Sequence, residues 1–166
     1  SMEAVQNCEK LAYEYGNQQI DELHFLCSLL TLDDSLILKL VTKMGVQGDM
    51  FVNEVKQALE KLPKVSGGQL YISNDLNKVL LSGEDEAKAM GDEYVSVEHL
   101  FLALIKNPSK EVKELFRTYN ITRERFLQAL STVRGSRRVV SDNPEATYDT
   151  LEKYGYDLVE RARDQK

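Results

Sequence analysis

His24 and His99 are the only histidines in the chain, and Asp92 and Glu98 flank a turn signalled by Gly91. These are the side chains whose types and spacing suit acid–base or metal chemistry. Each histidine follows a residue with helix-capping chemistry, Asp21 or Ser96, by three positions. That places it in the first turn of a helix, where a polar ring meets backbone or solvent while neighbouring leucines pack. Neither has nearby in sequence the set of further His and Cys partners that a zinc site requires, so both read as structural. Asp92 with Glu98 suits paired-carboxylate hydrolysis only if a cleft gives the two acids contrasting environments, and nothing in the sequence builds one. Glu84-Asp85-Glu86 lacks the alternating ligands and closing glutamate of a calcium loop and reads as a solvated helix face. Cys8 and Cys27 fall on apolar sides of helical patterns, outside any CxxC spacing, which supports neither a disulfide nor zinc and fits a reducing cytoplasm. Ser66-Gly67-Gly68-Gln69 has neither the lysine nor the magnesium-binding hydroxyl of a phosphate loop. No catalytic, cofactor or metal residue is therefore expected in this chain.

The matching histidines point to what positions them. Shifting the numbering by 75 brings Ala12, Gly16, His24, Leu29, Leu40 and Phe51 onto Ala87, Gly91, His99, Leu104, Leu115 and Phe126, without a gap. Ile20, Val46 and Val55 fall on Val95, Ile121 and Leu130. Apolar positions, glycine turns and helix starts stay in register together, as expected of a duplicated supersecondary unit. The fold class is accordingly all-α: two tandem pseudo-symmetric four-helix repeats, followed by a linker and a C-terminal helix.

In the first unit, Val5, Cys8, Ala12 and Tyr15 recur at helical spacing before Gly16. Asp21 caps a helix carrying Leu23, Leu26, Leu29 and Leu30. Ser35 or the paired Asp33-Asp34 opens the next, with Leu36, Ile37, Leu40, Val41 and Met44 closed by Gly45. Phe51, Val52, Val55 and Leu59 form a fourth that Pro63 ends. Leu70-Tyr71-Ile72 reads as a short extended piece. In the second unit Ser73, Ser96 and Thr122 are caps, and Asn120 takes the left-handed place of Gly45. The spacing predicts repeat one over 1–60, a connecting loop over 61–72, repeat two over 73–133, a flexible linker over 134–147 and a separate segment over 148–166. Ser1 corresponds to Leu76, already past the cap Ser73, so the first unit lacks an opening turn. Ser1-Met2 reads either as an added dipeptide or as the interior of a longer chain, and the repeat favours the second.

The 166 residues carry a formal charge of -6, with 42% hydrophobic and 29% charged residues. This is a globular composition with no apolar run of bilayer length and no leader signal. The acidic balance disfavours nucleic-acid binding. Arg134, Arg137 and Arg138 read as solvated linker charges. Leu151, Tyr154, Leu158, Val159 and Ala162 restore a helical stripe that one helix alone cannot bury, so the last segment is expected to belong to a further domain.

The doubled unit with Gly91-Asp92-Glu93-Tyr94-Val95-Ser96-Val97-Glu98-His99-Leu100 resembles the N-terminal domain of the Clp ATPases. Leu62-Pro63-Lys64-Val65 before a glycine loop, Val133-Arg134-Gly135, and the run from Tyr148 to Lys166 resemble its protein-disaggregase branch in particular. In that branch the last run leads into the first AAA+ ATPase module. The resemblance implies a cytoplasmic, homohexameric parent that uses ATP and magnesium and works with a DnaK-type chaperone system. The fragment itself would be non-enzymatic. It would hold unfolded or aggregated protein segments and pass them to the ring, binding neither nucleic acid nor membrane. The resemblance also implies that Asp92 and Glu98, matching acids beside the family's substrate groove, contact substrate. A purely structural role stands beside this one: Glu98 stabilising its helix start by roughly 0.3–1 kcal/mol and Asp92 shaping the loop. Ser82, Glu86 and His99 depart from the apolar lining of that groove. The alternative function is adaptor docking, as in regulatory subunits of Clp proteases.

Overall fold

The computed structural model describes residues 2–65 and 67–134. The first repeat comprises α1 (Met2–Glu14), β1 (Gln19–Ile20), α2 (Glu22–Thr31), α3 (Leu36–Lys43) and α4 (Gly48–Glu60). The connector carries β2 (Tyr71–Ile72), and the second repeat comprises α5 (Asn74–Ala89), α6 (Val97–Lys106), α7 (Lys110–Thr118) and α8 (Arg123–Arg134). The shift of 75 relates α2 to α6 residue for residue at both ends, and it relates the ends of α1 and α5.

Helix ends repeat as faithfully as helix faces. Gly16, Gly45, Gly91 and Asn120 all take positive φ (71°, 91°, 73° and 55°). After each, the next residue donates its N–H five residues back: Asn17 to Ala12 O, Val46 to Val41 O, Asp92 to Ala87 O and Ile121 to Phe116 O. These are Schellman closures, which satisfy the last carbonyls and turn the chain sharply. The starts are capped by side chains as their types dictate. Ser35, Ser73 and Ser109 accept N–H groups of Leu38, Leu76 and Val112, which settles the start of α3 on Ser35. Asp34 also adopts a positive φ of 53°.

The core is built around α2 and α6. Every residue from Glu22 to Leu30 and from Val97 to Leu104 is buried, because the remaining helices wrap these two. Helix α2 touches α1, α3 and α4 of its own repeat and α5, α6 and α7 of the other. Phe51 and Tyr119 meet edge to face across the repeats, with ring centroids 4.9 Å apart. Gly83 allows α5 to lie tightly on α6, since a Cβ there would fall 2.7 Å from Leu100 Cδ2. Arg125 fastens the repeats at another point, donating to the carbonyls of Asn120 and Met44 at the ends of α7 and α3.

The connector from Lys61 to Ser73 is stitched to the first repeat. Val65 N–H donates to Gly16 O at 2.9 Å, Asn17 Nδ2 to Pro63 O at 2.9 Å and Lys64 Nζ to Tyr15 O at 2.9 Å. Its extended end pairs in parallel with β1, Gln19 opposite Tyr71 and Ile20 opposite Ile72. The strand at β1 has no signal of its own in the sequence; only its partner creates it. The expected linker beyond Arg134, with Arg137 and Arg138, and the segment over 148–166 lie outside the described residues.

Candidate functional site

The residues singled out by the sequence converge at the starts of α2 and α6. In each repeat the histidine closes a capping box. Asp21 N–H donates to His24 Nδ1 at 2.9 Å, and Ser96 N–H donates to His99 Nδ1 at 2.8 Å. With Nδ1 accepting, the ring proton resides on Nε2, which donates to Asn17 Oδ1 at 2.9 Å in one repeat and to Asp92 Oδ2 at 2.6 Å in the other. Both rings are fully buried, not partly solvated as first-turn placement suggests, because α2 and α6 are central. Burial pushes the His24 ring down to about 4, against a smaller opposing pull from Asp21. It is therefore neutral at pH 7, as the accepting Nδ1 requires.

The second repeat adds charge where the first is neutral. Asp92 replaces Asn17, Glu98 replaces Leu23, Arg134 replaces Leu59 and Glu86 replaces Leu11 in the shifted numbering. Arg134 Nη2 donates to Asp92 Oδ1, and Arg134 Nη1 lies 3.5 Å from Glu98 Oε2. The side chains of Asp92 and Glu98 are fully buried and that of Arg134 is 4% exposed. Arg134 is thus the last residue of α8, held inside by two acids. Its reading as a solvated linker charge is corrected, and Asp92 and Glu98, which substrate contact would require at the surface, are buried beside it. Glu86 is corrected too: Arg123 forks both of its carboxylate oxygens, at 2.7 and 3.0 Å, so it is a buried, paired acid and not a solvated one. Ion pairing of this kind is what permits burial of charge.

Glu22 escaped the sequence reading. It is buried, and its Oε1 accepts Ser109 N–H at 2.8 Å, so the first residue of α2 caps the start of α7 in the other repeat. Burial pushes its carboxyl up to about 8, with Asp75, Asp21 and Glu111 adding to the rise and the Ser109 bond opposing it. The signal available was an acid directly after a cap, which describes many exposed residues equally well.

Burial likewise pushes Cys8 up to about 12 and Cys27 up to about 11, which leaves two inert thiols. No group of three or more His, Cys, Asp or Glu among the described residues is placed to hold a metal ion. The Gly67-Gly68 turn leads into β2 and not into a helix N-terminus, so it lacks the cradle that a nucleotide phosphate needs. No helix among the described residues is long and apolar enough to cross a membrane.

Together these features define a mostly helical tandem-repeat domain in which the buried acids, histidines and arginine serve caps, hydrogen bonds and ion pairs. Residues 1–119 match the Clp repeat (R) N-terminal domain, and the chain belongs to that family. It is 39% identical to a chaperone protein ClpB from Nitratidesulfovibrio vulgaris over 98% of this chain and 20% of that protein. It is 39% identical to one from Bacillus anthracis over 96% of this chain and 19% of that protein. The chain spans about a fifth of the length of these relatives. Among solved structures, the Hsp104 N-terminal domain from Candida albicans superimposes with a TM-score of 0.72 at 24% identity, covering 84% of this chain and 92% of that one. The ClpV1 ATPase N-terminal domain from E. coli gives 0.68 at 17% identity, covering 84% and 86%. A ClpV N-domain in complex with a VipB peptide gives 0.63 at 18% identity, covering 81% and 84%.

Proposed function

We propose that this chain is the substrate-holding N-terminal domain of a ClpB-type, ATP-dependent protein disaggregase. The observation that carries this reading is similarity to ClpB chaperones at 39% identity along 98% of the chain, beyond the 119 residues the family match covers. The domain binds exposed stretches of unfolded or aggregated protein and hands them to the parent's ATPase ring. No bond is made or broken in it. The parent is a cytoplasmic homohexamer that supplies ATP and magnesium chemistry from its own modules and cooperates with a DnaK-type system. The linker begins after Arg134, the last residue of α8, and 148–166 open the first AAA+ module.

Asp92 and Glu98 belong to this reading as substrate-binding residues of an indirect kind. Buried against Arg134, they hold the Gly91 turn and the end of α8 in position and act on substrate only through the surface these elements present. A second reading, adaptor docking as in ClpC or ClpA, draws support from the same fold in a ClpV N-domain with a VipB peptide. A coiled-coil middle domain in the parent favours the first reading, and a protease-docking loop favours the second. Titrating the 166-residue chain with reduced, alkylated ribonuclease A and with native ribonuclease A tests recognition itself. Preference for the unfolded form is expected.

A further inference from the structure

We propose that the outer edge of β2 is a docking site for an extended segment of unfolded polypeptide, which adds to it as a third strand with a basic residue over Asp21 and Asp75. This rests on the recognition reading above and specifies where the segment lies.

The geometry begins with the ladder. Tyr71 N–H donates to Gln18 O at 3.1 Å and Ser73 N–H to Ile20 O at 3.0 Å. Backbone groups alternate sides along a strand, so the N–H and C=O of Ile72 point away from β1, toward the opposite edge. An exposed edge of this kind is a template for another extended chain unless charge, proline or a bulge protects it. Here the flanking side chains invite contact. Tyr71 is 53% exposed and Ile72 41%. Val65 and Tyr13, also exposed, stand on the same side of the first repeat, where two adjacent hollows share Asn17, Gln18 and Val65. Four of the six large exposed apolar residues described are thus gathered around this connector.

Charge narrows the occupant. Asp21 lines the hollow beside Tyr71, and exposed Asp75 lies in the first turn of α5, three residues after Ile72. Ser73 Oγ donates to Asp21 Oδ1 at 3.2 Å, which places Asp21 at the residue after Ile72 and two before Asp75, so both acids lie at that end of the edge. A segment that offers alternating apolar side chains and a lysine or arginine at this end satisfies the strand, the apolar flank and the acids at once. Main-chain bonds then supply affinity that tolerates varied sequence, while pockets for alternate side chains supply selectivity.

The test is a fluorescence titration of the 166-residue chain with a ten-residue peptide of alternating valine and threonine ending in two lysines. The same peptide N-methylated on alternate backbone amides is the second probe. The inference expects the first to bind, the N-methylated form to bind at least about tenfold more weakly, and Ile72 amide exchange to slow on binding. Ile72→Pro removes the outward N–H, exchanges one exposed apolar side chain for another and leaves the Tyr71 and Ser73 bonds in place, so it should weaken binding about tenfold while Leu81→Ser on α5 leaves it unchanged. Equal binding of both peptides overturns the inference even if Ile72→Pro does not fold. Protection of Ile72 through self-association without peptide overturns it in favour of a second copy as occupant. If unfolded ribonuclease A binds parent and Ile72→Pro alike, the edge site falls and recognition stands. If it binds neither, recognition falls, and this inference with it.

Discussion

Asp92 stands in the second repeat where Asn17 stands in the first, and each accepts the Nε2–H of its repeat's histidine, at 2.6 and 2.9 Å. Each also tethers the chain leaving its own repeat. Asn17 donates to Pro63 O beyond α4, while Asp92 holds the Arg134 guanidinium at the end of α8. The same turn thus does the same task with a neutral amide once and with a buried ion pair once. Asp92→Asn is expected to keep the histidine bond and lose the charge partner of Arg134. Breaking a buried pair from one side costs about 3–5 kcal/mol; the lower end applies here, because Glu98 still faces Arg134. Urea denaturation of the variant against parent measures it.

The double replacement of Asp92 and Glu98 by Ala should cost the fold more than the 0.3–1 kcal/mol of a helix-terminus charge, since both acids are buried around Arg134. Arg134→Leu, which restores the residue type of Leu59, should recover much of that loss in the triple variant. Thermal melts of the two variants decide this, and an unrecovered triple variant would mean that the acids act through other contacts.

Leu29 and Leu104 occupy equivalent positions in α2 and α6 and are 1% and 0% exposed. Leu29→Ala and Leu104→Ala are each expected to cost about 2–5 kcal/mol, the range for buried leucine truncations. Denaturant titration of both tests the central position of the two helices.

These two helices and all four turn ends were legible from the sequence, because capping residues, left-handed glycines and leucine spacing act within a few residues. The asparagine at position 120 was legible for the same reason. Burial of Arg134, Glu86 and Glu22 was not, because each depends on a partner far along the chain: Asp92, Arg123 and Ser109. A charged residue next to a helix end has one local pattern whether it faces water or an ion-pair partner. The β1 strand was hidden likewise, since two residues carry no period until β2 lies beside them.

Glu22 and His24 predict opposite responses to pH. The Glu22 carboxyl is raised to about 8 in the folded chain, above an ordinary value of about 4.3. Its contribution is therefore complete below the ordinary value and is lost as pH rises toward 8. Each unit in that window costs up to about 1.4 kcal/mol. Glu22→Gln keeps an acceptor for Ser109 N–H and should melt above the parent by a margin that widens from pH 5 to 8 and then levels off. His24, lowered to about 4, stabilises fully above about 6.5 and loses that contribution as pH falls toward 4. Melts of parent and Glu22→Gln across pH 4–9 separate the two slopes.

The most direct measurement of the account is the affinity of the 166-residue chain for reduced, alkylated ribonuclease A relative to the native enzyme, read by isothermal titration. Recognition of unfolded segments predicts saturable binding to the unfolded form and binding to the native form at least about tenfold weaker. Equal affinity for both forms, or no binding to either, would contradict the assignment of this domain to substrate holding.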